Sequence, residues 1–505
     1  MQRFKSWDEI DAFYKGGLTP AEKKLKRAVK KSTTCNLGDL AAPPNWKDVD
    51  PSRHIRADVL LFLLTRSSDH DAVTSYGIDL EGALVSGRLR LSYSTVQGNA
   101  ILERCRFQQP ISADRTHFER SFRLRDSVIP SLSAMGATVD AQFSCQGTTF
   151  LEKKYVSIDL QRAVINGSIF LTNVTTYASV DLNGAKIGGS LECRKASFSS
   201  KNGAAFEAPN CIVSGGFFFR DIASLDGEVH LSGAHVNFLQ DDAQSWDEAH
   251  DLALDGFTYD RISGSNSATD FQTRLKWLEK GDRFNDTFFP QPYTQLAKVL
   301  HEMGHERDAR EIRVVLAEKL AIEHRKHLKK EHTPDPNRPP ALGFGIAKFL
   351  LRARWGISWG VDFLFRSVVG YGFKPARSLY WLGGLIALAW FMALGAWETG
   401  QFTPNSAPIL VSQDWIDIAT DPHAAQKWSA VNAAGQDWET FNSFAYAADI
   451  VIPIIEIGQT SAWAPSPARG PWGGALWWMR WVFTAAGWTI SALGAAAITG
   501  VIRRE

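Results

Sequence analysis

Net charge is nearly absent from this chain. Lys and Arg number 55 against 54 Asp and Glu, a net charge of +1. A protein that grips nucleic acid through its phosphates carries a basic excess to displace counterions, so no nucleic-acid partner is expected. Cysteine is scarce. Cys35, Cys105, Cys145, Cys193 and Cys211 form an odd set with no CxxC. That excludes a disulfide scaffold and a zinc ribbon, and it fits a reducing compartment. The opening residues, MQRFKSWDEIDAFYKGG, hold no apolar run, so no signal peptide is expected. Also missing are GxGxxG after a strand, the GxxxxGK phosphate loop and GxSxG, so no nucleotide cofactor and no serine nucleophile are expected.

What is present is unevenly spread. The chain has 505 residues, enough for several domains. Of its 18 Trp, 14 lie after residue 350. Two uncharged runs stand there, Ser378–Trp397 and Trp481–Ile502. Each reaches about 30 Å as a helix, the thickness of a bilayer's hydrocarbon core. Basic residues flank them: Lys348, Arg352, Arg354, Arg366, Lys374 and Arg377, then Arg503 and Arg504. The segment from Glu398 to Met479 holds eight acids against Lys427 and Arg469. The positive-inside rule then places both termini in the cytoplasm and the acidic loop outside. Residues 341–377 suit amphipathic helices on an anionic inner surface, with those six basic residues as lipid anchors.

Within the outer loop, FNSFAYAADIVIPIIEIG (residues 441–458) is apolar but too short to span, and Pro453 interrupts it. A re-entrant or interfacial segment is expected. Asp449 and Glu456 are then candidate pore acids, because a carboxylate at membrane depth is costly unless it pairs or lines water. Gly370-Tyr371-Gly372 looks like a potassium-filter fragment but precedes the first run, so it reads as a turn into the membrane.

The first half carries a repeat. IDLEGALVSGRLRL, IDLQRAVINGSIFL and VDLNGAKIGGSLEC begin at residues 78, 158 and 180. A second series runs Val96, Gly98, Ala100, Leu102, then Phe118, Arg120, Phe122, Leu124, then Val139, Ala141, Phe143, Cys145. Alternation of period two nested in a period near 22 means short strands on successive coils of a β-solenoid, expected over residues 75–240 in seven or eight coils. Ala83, Ala163 and Ala185 fall where coils turn tightly, and Cys145 and Cys193 read as small inward fillers. Residues 1–74 are expected to cap the first coil, chiefly through an amphipathic helix over 54–69. The outer faces suit protein partners and read as mixed in charge, with no acidic array.

Residues 241–330 read as a helical hairpin. Leu296, Ala297, Leu300, Gly304 and Ala309 fall at tetratricopeptide spacing, and a proline-rich linker follows at 331–340. Inside the hairpin His301-Glu302-Met303-Gly304-His305 is HExxH, a zinc-hydrolase pattern when both His share one helix face. A chain reversal near Gly304 would break that face, so a structural role is expected for His301, Glu302 and His305, with zinc as the alternative.

Several segments together resemble a group of poorly characterised bacterial membrane proteins, some labelled membrane-associated oxidoreductase. The matching pieces are IRADVLLFLL, IDLEGALVSGRLRL, LDGFTYDRI with RLKWLEKG, FPQPYTQLAKVLHEMGHERDAREI, VVGYGFKPARSLYWL and AYAADIVIPIIEIGQ. The resemblance implies a pentapeptide-like right-handed β-helix with two C-terminal transmembrane helices, and it supplies no catalytic residue. The expected protein is multidomain and sits in the bacterial inner membrane as an interaction or sensor module without catalysis. An oligomeric ion channel is the alternative, and a zinc hydrolase the third reading. Expected partners are membrane lipids, a protein on the solenoid faces, and further copies of the chain.

Overall fold

The computed structural model describes residues 4, 6–38, 50–65, 76–284, 287–330, 344–452 and 454–501. The linker expected at 331–340, Pro453, Arg503 and Arg504 lie outside the described residues. The chain divides into two units, Met1–Leu316 and Ala317–Glu505.

In the first unit, residues 77–262 form a parallel β-solenoid of about eight turns. Its strands stack in columns. Ile78, Ala100, Phe122, Phe143, Ile169, Leu191 and Phe217 pair in register along one column and are all buried. Val96, Phe118, Val139, Ile165 and Ile187 do the same along another. The two columns meet inside, where the rings of Phe118 and Phe122 stack at 4.3 Å. The period-two alternation exists because one side of every short strand faces this interior.

Each coil turns at left-handed corners. One series runs Arg104, Asp126, Gly147, Asn173 and Lys195, and another Arg115, Gly136, Arg162, Gly184 and Asn210, all with φ between 49° and 70°. The next residue points inward and is small, as at Ala163 and Ala185. Cys145 and Cys193 fill one inward column on either side of Leu171. Burial pushes the Cys105 and Cys211 thiols up to about 12, so these sulfurs stay protonated and inert.

Two expectations change in detail. The solenoid runs past residue 240 to Ile262, because Leu252–Ala253 and Thr258–Ile262 still pair with the preceding coil. A short helix, Ala243–Asp247, interrupts that last coil and hides its period. Residues 54–69 are not one amphipathic helix. His54–Arg56 is a strand of the first coil, and helix α3 (Ala57–Thr65) follows it. The run Val59–Leu64 leaves α3 no polar face, and it is buried throughout. Helices α1 (Trp7–Phe13) and α2 (Pro20–Lys30) precede α3 in the N-terminal cap. Glu22 of α2 is fully buried and accepts from the backbone N–H and Nε of Arg56, both at 2.9 Å.

At the other end helix α4 (Phe271–Gly281) closes the last coil. Its Arg274 donates from both Nη atoms to Asp241 at 2.8 Å, and Trp246 Nε1 donates to the same carboxylate at 2.8 Å. All three side chains are buried. Helices α5 (Gln291–Glu302) and α6 (Glu306–Lys330) follow, separated by a turn at Gly304, with Leu296, Ala297, Leu300 and Ala309 buried.

The second unit contains α7 (Phe344–Leu364), α8 (Ala376–Glu398), α9 (Ser443–Val451) and α10 (Pro471–Ile498). α8 and α10 are each long and apolar enough to cross a membrane. Only 17% and 28% of their most apolar windows is buried, unlike core helices of a soluble domain. Gly370, Tyr371 and Gly372 all have positive φ and form a tight turn ahead of α8. Above the far ends of α8 and α10, Trp397, Phe402, Trp428, Tyr446 and Trp463 form an aromatic core.

Candidate functional site

The candidate site lies where α9 packs on α8 and α10. Asn442 starts α9 by accepting from the N–H groups of Phe444 and Ala445. Ala447 and Ala448 keep the helix slim, and its backbone meets α10 directly. The carbonyl of Val451 occupies the space a side chain at Gly487 would need, and Thr484 Oγ1 donates to the Ile450 carbonyl at 3.3 Å. After α9 the chain turns back. The rings of Phe441 and Trp463, before and after the segment, lie 6.2 Å apart. Gln459, buried in the return, accepts from Asn442 N at 2.9 Å and donates to the Thr440 carbonyl at 2.9 Å.

Asp449 closes this turn. Its carboxylate accepts from Ile457 N at 2.9 Å, Thr460 N at 2.7 Å and Thr460 Oγ1 at 2.8 Å. Glu456 is exposed, between the exposed isoleucines Ile455 and Ile457. Asp449, Glu456, Tyr446, Arg480, Trp481 and Trp488 line a cavity of about 430 Å³. Arg480 is the sole charged residue of α10. Its guanidinium faces the rings of Trp477 and Trp481, with centroids 5.1 and 5.2 Å away, and its buried Nε has no hydrogen-bond partner among the described residues.

The two sequence-predicted acids therefore share one cavity, and Arg480, the residue just ahead of the second uncharged run, lines it with them. Its signal was available: one charge in a 28-residue apolar helix.

The HExxH residues are not on one helix. α5 ends at Glu302, Gly304 has φ +85°, and α6 begins at Glu306. His301 Nδ1 pairs with Glu306 Oε1 at 2.5 Å, and both side chains are half exposed. Among the described residues no three His, Cys, Asp or Glu side chains gather as a metal site. Of the expected anchors, Lys348 and Arg352 lie outside the described side chains, and Arg354 is exposed. Arg366 pairs with Glu318 at 3.1 Å, and Arg377 Nη1 reaches the Arg366 carbonyl at 3.4 Å.

The solenoid faces hold a feature that sequence spacing concealed. Asp159, Asp181 and Glu207 stack in register on successive coils. Their spacings of 22 and 26 residues break any fixed period, so the faces read as mixed. Burial raises the pKa of all three, with neighbouring carboxylates adding to the rise at Asp159 and Glu207. A carboxylate whose folded pKa lies above its unfolded value holds its proton more tightly when folded. Its stabilising contribution is present at low pH and is lost as pH rises through that interval. Asp181→Asn should therefore be more stable than wild type at pH 7, with an advantage that shrinks as pH falls toward the ordinary Asp value of 3.8. Thermal melts of both proteins across that range test this, and a difference independent of pH would refute it.

No family model, curated protein or solved structure matches this chain.

Proposed function

We propose that the protein is a membrane-anchored interaction or sensor module without catalysis. α8 and α10 span the bacterial inner membrane, both termini are cytoplasmic, and the solenoid is presented to a protein partner. One observation carries the interaction reading. Tyr155 and Tyr177 are 70% and 42% exposed and lead into adjacent strands of the carboxylate column, and Leu151, 48% exposed, lies in the loop before the first of them. Exposed aromatic side chains are enriched in protein interfaces, and Lys153 and Lys154 lie over the Tyr177 and Tyr155 rings at 5.6 and 5.0 Å, so the patch offers a partner both aromatic surface and positive charge. The filled interior of the coils supports the same reading, since it leaves the chemistry to the outer faces.

A photo-crosslinking residue at Tyr155 or Tyr177 in cells should give one discrete protein adduct, and one at the opposite-column residue His117 should not. Silence at both tyrosines, with the protein intact in the membrane fraction, would remove the reading. In the same cells Gln413→Cys should label from outside and Ser200→Cys should not. The reverse pattern would invert the topology. The five native thiols are buried and give little background.

A second reading, an oligomeric ion channel, draws support from the course of residues 441–463, which leave and rejoin one end of the helix pair as a re-entrant segment does. In that reading Glu456 faces the ion path and Asp449 holds the loop. Absence of any current from reconstituted wild-type protein would dismiss it.

A further inference from the structure

We infer that a cavity between the N-terminal cap and the first coils binds the phosphate monoester of a small sugar or polyol. Tyr14, Arg56, Asp58, Ser86, Arg88 and Arg90 line this cavity of about 320 Å³. The fold gathers them from distant segments, since Arg56 pairs in register with Ser86 on the neighbouring coil. Leu89 is buried, so Arg88 and Arg90 on either side of it both turn outward, and both are exposed. Three guanidinium groups thus meet at one cavity, and two of them bring charge that no ion pair cancels. Arg56 is offset by the buried Glu22, and its guanidinium lies 3.6 Å from the centre of the Tyr14 ring. Arg88 donates from Nε and Nη2 to Ser112 Oγ at 3.2 and 2.9 Å. That hydroxyl holds the fork in place without neutralising it. Arg90 has no hydrogen-bond or ion-pair partner among the described residues.

A phosphate monoester carries close to two negative charges at neutral pH and accepts parallel hydrogen bonds from a guanidinium fork, whereas a carboxylate brings one charge. Two of the three arginines are already held, Arg56 by Glu22 and Tyr14 and Arg88 by Ser112, so little ordering is left for the ligand to impose. Asp58 decides what the phosphate is attached to. Its Oδ2 accepts from Tyr14 Oη at 3.1 Å, and its Oδ1 takes no hydrogen bond among the described residues. An ionised carboxylate only accepts, so it repels free phosphate and receives a hydroxyl of the ligand instead. The cavity lies at the small end of the range for ligand pockets, which suits a sugar phosphate better than a nucleotide. The site gives the sensor reading a soluble signal. Binding needs neither a partner nor a membrane, so its failure would leave the interaction reading standing, and failure of the crosslinking test would leave this site standing.

The test is titration calorimetry of the full-length protein in mild detergent, with glycerol 3-phosphate, ribose 5-phosphate and glucose 6-phosphate as probes. At least one ester should bind at one site per chain, more tightly than inorganic phosphate, and unphosphorylated glucose should not bind. Arg88→Gln and Arg90→Gln should each weaken that ester at least about tenfold, the loss of one charge-assisted contact. Arg120→Gln, at an exposed arginine outside the cavity, should leave it unchanged. Asp58→Ala should weaken the ester while inorganic phosphate binds as well as before or better, a split that general loss of folding would not produce. Vesicles containing phosphatidylglycerol should not compete with the ester. Binding by none of the three esters would overturn the inference, as would equal weakening in Arg120→Gln. Inorganic phosphate binding as tightly as the esters would refute the role of Asp58 and with it the sugar phosphate. Competition by the vesicles would assign the arginines to a lipid surface and overturn the soluble ligand.

Discussion

Asp241→Ala should destabilise the solenoid unit by about 3–5 kcal/mol, the cost of leaving one member of a buried ion pair without its partner. Arg274 would keep a buried positive charge with no carboxylate, and Trp246 Nε1 would lose its acceptor. The damage would fall on the last coil, which α4 covers. An uncovered coil end exposes unpaired strand groups and apolar core, so loss of the cap should also promote aggregation. Chemical denaturation of wild type and variant, with Asp247→Ala as an exposed neighbour for control, measures the difference. A shift below about 1 kcal/mol, the size of an ordinary hydrogen bond, would show that the pair does not hold the cap.

Gly487→Val should cost at least about 1–3 kcal/mol by overpacking. A Cβ at residue 487 would sit 1.9 Å from the carbonyl oxygen of Val451, and backbone cannot yield as a flexible side chain can. α9 would have to leave α10, taking Asp449 and the cavity wall with it. Gly383→Val is the matched control, since nothing lies within 4 Å of its Cβ position. Tryptophan-monitored melting in detergent should show a clear drop for the first and little change for the second. Equal melting temperatures would mean that the α9–α10 contact contributes nothing to the membrane unit.

Much of the solenoid was legible because inward residues alternate and coils keep nearly the same length. Val96, Phe118 and Val139 could be aligned by counting 22 and then 21. The Asp159–Asp181–Glu207 stack could not, because a bulged stretch between Ser199 and Phe206 lengthens its coil. The reversal in HExxH was legible from Gly304 alone, a local signal. Asp449 was not. Its carboxylate is claimed by donors eight and eleven residues downstream, and no local pattern encodes that pairing. Arg480 went unread for a related reason. Its meaning depends on a cavity built jointly by α9, the returning loop and α10, while a hydropathy run records only its own helix.

The left-handed corners make the reach of the solenoid adjustable in whole steps. Arg104 and Asp126 occupy the same corner one coil apart, followed by the inward residues Cys105 and Ser127. Excising residues 105–126 would join Arg104 to Ser127 and restore the corner, the register and the core. The rod would shorten by about 4.8 Å, one strand spacing. A partner gripping a single coil would not notice the change, while a partner bridging two distant points would lose one of them. Related chains could thus retune the span between docking points by gaining or losing coils, with no new chemistry at either point.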